Sequence, residues 1–163
     1  MFTSPYVQEE WKSFASSACR FPHVFTQRAP ESHKGTHGTL AVVGGAAGMS
    51  GAVVLAATAA IYNGSGKVWA GFNQPELPFA MIPERPEIML ATVAVLQQRN
   101  DMSAWVLGCG LGLDDSALSV LRAQLARADH NALLLDADAL TLLAHHADCA
   151  AAATAHPLLV LTP

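Results

Sequence analysis

The chain has 163 residues, 52% hydrophobic and 13% charged, enough to bury one substantial core and too apolar for a disordered chain. Nine Lys plus Arg against thirteen Asp plus Glu give a net charge of -4 with no basic cluster, which argues against a nucleic-acid surface and leaves small molecules or further subunits as partners. Cys19, Cys109 and Cys149 form no CxxC pair and leave an odd count, fitting a reducing compartment rather than a disulfide framework.

Residues 1–31 read as an N-terminal arm with a short helix, Gln8 to Ala18, followed by a stretch punctuated by Pro22 and Pro30. Glu9, Glu10 and Lys12 have no apolar run before them, so a secretory signal is not expected and the default location is cytoplasmic. From residue 32 to 163 the chain alternates regularly. Strands are expected at Thr39 to Val43, Lys67 to Phe72, Pro86 to Thr92, Ala104 to Leu107, Ala132 to Leu135 and Leu158 to Leu161. Helices are expected at Met49 to Asn63, Asp114 to Ala128 and Asp138 to Ala155, the last with a possible break. The uncharged run from His37 to Gly66 is long enough to raise a membrane span, but its glycine cluster divides it into a strand and a helix of globular length, so no membrane partner is expected.

Ala104-Trp105-Val106-Leu107, Leu133-Leu134-Leu135 and Leu158-Leu159-Val160-Leu161 lack polar alternation, so both faces of their sheet must be covered. With the strand and helix alternation, this predicts an α/β fold: a mostly parallel sheet with helices on both faces. Ligands of such sheets collect at the carboxyl ends of the strands. Four segments should meet there: Gly44 to Gly51, Gly108 to Gly112, Asp136-Ala137-Asp138, and Thr162-Pro163. The last strand has no closing helix after it, which reads as the N-terminal part of a longer domain, cut short on its C-terminal side.

Gly44-Gly45-Ala46-Ala47-Gly48-Met49-Ser50-Gly51 joins a β-branched strand to an apolar helix, so its backbone can approach a ligand while the helix amides point donors at it. An ordinary tight turn is the competing reading, and the same pair of readings applies to Gly108-Cys109-Gly110-Leu111-Gly112. Asp114 and Asp115 open a helix, where negative charge is favourable whatever the function. Asp136 and Asp138 could hold Mg2+ through water or divide their roles, one toward a ligand hydroxyl and one as a helix cap, and the divided role is the expectation. His33 and His37 are spaced like a metal pair, but Gly35 and Gly38 discourage a helix and no third ligand is placed, so no metal site is expected. His145 and His146 read as solvated surface.

Taken together, His33-Lys34-Gly35 with Gly38, Gly44-Gly45 through Gly51-Ala52, Gly64-Ser65-Gly66, Pro86-Glu87, Gly108 to Gly112 and Asp136-Ala137-Asp138-Ala139-Leu140 resemble, in order and spacing, the ADP- or ATP-dependent NAD(P)H-hydrate dehydratases. The resemblance covers about Ser32 to Pro163. It implies a ribokinase-like fold and a lyase of nicotinamide-nucleotide repair, which phosphorylates the added hydroxyl of NAD(P)H hydrate with ADP or ATP, assisted by Mg2+, and then eliminates phosphate. Carried over by motif, Ala52 and Gly110 contact the hydrate; Gly45 and Asp136 lie near the same pocket, and Lys34 serves the nucleotide or phosphate. It also implies nucleotide ligands as partners and a homo-oligomer.

Two departures from the family pattern matter. Cys109 replaces the proline of the usual Gly-Pro-Gly-Leu-Gly loop. The substrate-contacting histidine, the Lys-Gly segment and the Gly-Asp segment whose aspartate is the base are not among these residues, so no catalytic residue is assigned and no dehydratase turnover is expected of them alone. The alternatives are a small-molecule kinase of the same fold and a non-catalytic nucleotide-binding fragment. A Rossmann oxidoreductase fits less well, because the turn is GGxxGxxG and not GxGxxG.

Overall fold

The computed structural model describes residues 15–21, 27–127 and 131–162, so most of the expected Gln8 to Ala18 helix lies outside the described residues. The chain divides into two compact units, Met1–Ser32 and His33–Pro163. In the first, residues 15–20 are helical (α1) and Ala29 to Ser32 form a hydrogen-bonded turn.

The second unit carries six strands, β1 (Thr39–Gly44), β2 (Lys67–Phe72), β3 (Met89–Thr92), β4 (Ala104–Cys109), β5 (Ala132–Asp136) and β6 (Leu159–Thr162). They form one sheet in the order β3-β2-β1-β4-β5-β6, and every pairing is parallel. Helices α2 (Ser50–Tyr62), α3 (Val93–Leu96), α4 (Asp115–Leu125), α5 (Asp138–His145) and α6 (Ala147–Ala155) fill the connections. The expected α/β architecture is therefore present. Long apolar strands produce it because side chains alternate between two faces, and each face has its own cover.

On one face Ala41, Val43, Trp105, Leu107, Leu133 and Leu135 pack with Leu118 and Leu121 of α4 and Leu142 of α5. On the other, Val42, Val68, Ala70 and Phe72 pack with Val53 and Ala57 of α2. β1 and β4 lie side by side at the point where the chain reverses its direction of travel across the sheet. Strands on either side of such a point send their helices to opposite faces and leave a crevice at their carboxyl ends.

Three local differences have simple causes. β3 starts at Met89, not Pro86, since proline has no amide to donate and Ile88 N–H instead closes a turn onto the Arg85 carbonyl. Residues 138–155 form two helices because His146 is extended, at φ -128° and ψ 99°. The one-turn α3 was not anticipated; four residues are too few to show a helical period.

Candidate functional site at the carboxyl rim

Because β1 and β4 are adjacent and parallel, the glycine turns that follow them meet. The amide of Gly45 donates to the Cys109 carbonyl at 3.0 Å and that of Ala46 to the Gly110 carbonyl at 2.7 Å. Gly110 has φ +63°, and a side chain there would press on Met49 at 2.8 Å and approach Ala52 at 3.5 Å. Glycine is thus required at 110 for both its backbone angle and the space it leaves beside the start of α2.

The two helices that leave these turns begin differently. Asp114 caps α4, its carboxylate accepting the Ala117 amide at 2.9 Å. No side chain caps α2, and there is no charge in its first or last turn. The first amides of α2, at Ser50 and Gly51, therefore open toward the crevice with the positive end of the helix dipole behind them, while the Ala52 amide donates back to the Met49 carbonyl at 3.2 Å. A Cβ on Gly48 or Gly51 would meet nothing within 4 Å, so the space above this terminus is free among the described residues.

Asp136 and Asp138 approach from the end of β5. Gly108, at φ +124°, lies so close that any side chain would overlap the Asp136 carbonyl. Asp138 accepts the Gly112 amide at 2.9 Å, while its own helix has no side-chain cap. The expected split between the two carboxylates thus takes another form, with Asp138 bracing the neighbouring glycine turn. Ala137 between them adopts φ 45° and ψ -115°, a conformation non-glycine residues rarely hold. Cys109 is half-buried at the same rim, and burial first, then the Asp136 charge, pushes its thiol above the usual range. It is a poor nucleophile there.

Sequence reasoning missed Asn73 and Gln74, directly after β2. Asn73 donates to the Leu111 carbonyl at 2.9 Å and accepts from the Ser116 hydroxyl at 3.0 Å. Gln74 donates to the Gly45 carbonyl at 2.7 Å and to the Ser50 hydroxyl at 3.0 Å. Two consecutive amides thus tie both glycine turns and the first turns of α2 and α4 to β2. The only available signal was a polar pair immediately after an apolar strand.

Ala52, Gly110, Gly45 and Asp136 are brought to this one rim. Lys34 is not: its carbonyl packs against Gly66, just ahead of β2, and Gly66 N–H donates to the His37 carbonyl beside the start of β1. That is the amino rim, about 17 Å away along a six-residue strand. A lysine side chain there cannot reach the glycine turns. Among the described residues no three His, Cys, Asp or Glu side chains converge on a point. No helix among them is long and apolar enough to cross a membrane.

Residues 40–163 match the family profile of NAD(P)H-hydrate dehydratase. The chain is 54% identical over 155 residues to an ADP-dependent (S)-NAD(P)H-hydrate dehydratase of Neisseria meningitidis, an alignment covering 95% of this chain and 52% of that protein. It is 38% identical over 127 residues to the protein of the same name from Lactiplantibacillus plantarum, covering 74% and 45%. The chain thus spans about half the length of these curated relatives. Among solved structures, a ribokinase-like superfamily protein from Enterococcus faecalis superposes with a TM-score of 0.70 at 24% identity, covering 85% of this chain and 49% of that one, a likeness of fold. The ADP/ATP-dependent NAD(P)H-hydrate dehydratase of Bacillus subtilis, co-crystallized with ATP and Mg2+, superposes with a TM-score of 0.61 at 29% identity, covering 72% and 43%.

Proposed function

The chain belongs to the NAD(P)H-hydrate dehydratase family, and from that premise we propose that it forms the hydrate-facing part of a nicotinamide-nucleotide repair enzyme acting in the cytoplasm. The reaction restores NAD(P)H from its hydrate. The added hydroxyl attacks the terminal phosphorus of ADP or ATP and loses its proton, the shortened nucleotide leaves, and the resulting ester then loses phosphate and a ring proton to re-form the double bond. Mg2+ enters only as the companion of the nucleotide.

The observation that carries the reading is the meeting of the Gly110 turn with the uncapped start of α2, where the Ser50 and Gly51 amides open beside the free space left by Gly48 and Gly51. Such a corner holds an anionic group by backbone donors and admits a flat ring closely. Gly45 contributes by its contacts to the neighbouring turn and Asp136 by its carboxylate toward a ligand hydroxyl. The resemblance puts the base on a Gly-Asp segment that is not among these residues, so in this reading they bind and orient substrate without completing the chemistry. The chain also self-associates in this reading.

Thermal unfolding with increasing NADPH tests the binding half directly. A ligand that binds only the folded state at a hundred times its Kd stabilises by about 2.7 kcal/mol, so the melting temperature should climb with concentration. NADPH absorbance on adding NADPH hydrate with ADP or ATP should stay flat for these 163 residues. A melting temperature indifferent to both NADPH and its hydrate removes the reading, and accumulation of a stable phosphate ester moves it to a small-molecule kinase of the same fold. Light scattering checks the self-association; a monomer at all concentrations refutes that part alone.

A further inference from the structure

Next to the glycine turns, on the α4 face of the sheet, runs an open groove of about 1110 Å3 between α3 and α4. It exists because α3 is a single turn, too short to cover the ends of β2 and β3. We propose that this groove is a separate subsite for an uncharged heteroaromatic ring, the base or reduced nicotinamide of a nucleotide whose phosphates lie on the glycine turns. The ring identity deepens the repair-enzyme reading and rests on it; the existence of the subsite does not.

The lining chemistry selects the ligand class. Val93 and Val120, both buried in the α4-face cluster, supply an apolar floor. No Lys, Arg or His lines it, and its one carboxylate, Asp114, is occupied by the Ala117 amide. A phosphate would find no positive partner here and one negative neighbour. Neutral hydrogen-bonding groups do line it: Gln74 uses its amide nitrogen on Gly45 and Ser50, while its Oε1, the Gln97 side chain and the Ser119 hydroxyl accept or donate no hydrogen bond among the described residues. Apolar floor with neutral donors and acceptors at the rim is the pattern of a ring pocket, and the volume accommodates a base with its sugar.

The groove is held open before any ligand arrives. At one end Asn73 ties the start of α4 to the end of β2. At the other, the Arg127 guanidinium, lying over the Trp105 ring, donates to the carbonyls of Gln97 at 3.2 Å and Arg99 at 3.0 Å beyond α3. Ala46 and Ala47 of the first glycine turn form part of the lining, so groove and rim are continuous.

Ala94 and Ala123 are exposed and face the groove from opposite walls, so Ala94→Trp and Ala123→Trp fill it without entering the core. Calorimetric titrations of the full chain and of both variants should use NADPH, AMP, reduced nicotinamide mononucleotide and pyrophosphate, with circular dichroism to confirm folding; Ser119→Trp replaces either variant that fails to fold. The expected result is a tenfold or greater loss of NADPH affinity in the filled variants with pyrophosphate binding unchanged. Whichever mononucleotide shows the same loss identifies the ring. NADPH affinity equal in all variants overturns the groove and leaves the repair reading intact. Groove-dependent AMP binding without NADPH binding keeps the groove and removes the repair reading, and a wild-type chain that binds no ring overturns the groove as well.

Discussion

Asp138 begins α5 yet uses its carboxylate on the Gly112 amide, 26 residues earlier, in a partly buried bond. Asp138→Ala leaves that amide without a partner and should cost about 1–3 kcal/mol in urea unfolding, with faster hydrogen exchange at Gly112. Asp138→Asn retains an acceptor oxygen and should lose distinctly less; equal loss in the two would show that the bond is not what matters. Ala137, one residue before, is held at φ 45° and ψ -115°. Glycine relieves strain worth roughly 1–3 kcal/mol there and adds back about 0.5–1 kcal/mol of chain entropy, so Ala137→Gly should leave the protein as stable or up to about 2.5 kcal/mol more stable. A clear loss of stability would mean the angle carries no strain. These residues also mark the limit of what a sequence discloses. Gly108 and Gly110 announce themselves because few other residues fit such angles, whereas Asn73 and Gln74 gain their meaning from partners 24 to 43 residues away in the chain. Lys34 shows the converse: a motif in the right order says nothing about which rim it reaches.

Strands were legible where apolar runs were bounded by glycine or proline, as at Lys67–Phe72, which appears with the boundaries expected. The helix over residues 138–155 was less so, because its alanine-rich sequence has no residue that must stop a helix at His146, where the backbone turns extended. Among the described residues β6 is an edge strand paired with β5 alone, and Leu158, Val160 and Leu161 beside or within it are 58%, 54% and 50% exposed. An edge with unpaired backbone and apolar side chains is prone to pair with other chains. Val160→Lys should therefore raise the soluble fraction on heating and change the unfolding free energy by no more than about 0.5 kcal/mol, since it exposes no core atom. Unchanged aggregation would show that another surface is responsible.

The whole sheet is one parallel layer whose two faces share the same strands. Leu121 is buried beneath α4 on one face and Ile88 in the cluster on the other. Leu121→Ala and Ile88→Ala should each cost about 2–5 kcal/mol and move one common transition, because neither cover can leave without stripping strands the other needs. Two separable transitions in calorimetry would show that the faces melt independently. This level of organisation was the most legible of all, since continuous apolar strands alternating with helices admit few arrangements beyond a covered parallel sheet, and such a sheet gathers every strand-end turn on one rim. The sequence pattern could not reveal the groove, which depends on how little of the sheet a four-residue helix hides.

Asn73 and Gln74 are neighbours on one short stretch of backbone, and each grips a different turn. The two corners are thereby denied separate lives: whatever loosens one tugs its twin through a span of a few bonds. Breathing at this rim would be a single concerted event with one lifetime, and a visitor touching either corner would quiet both.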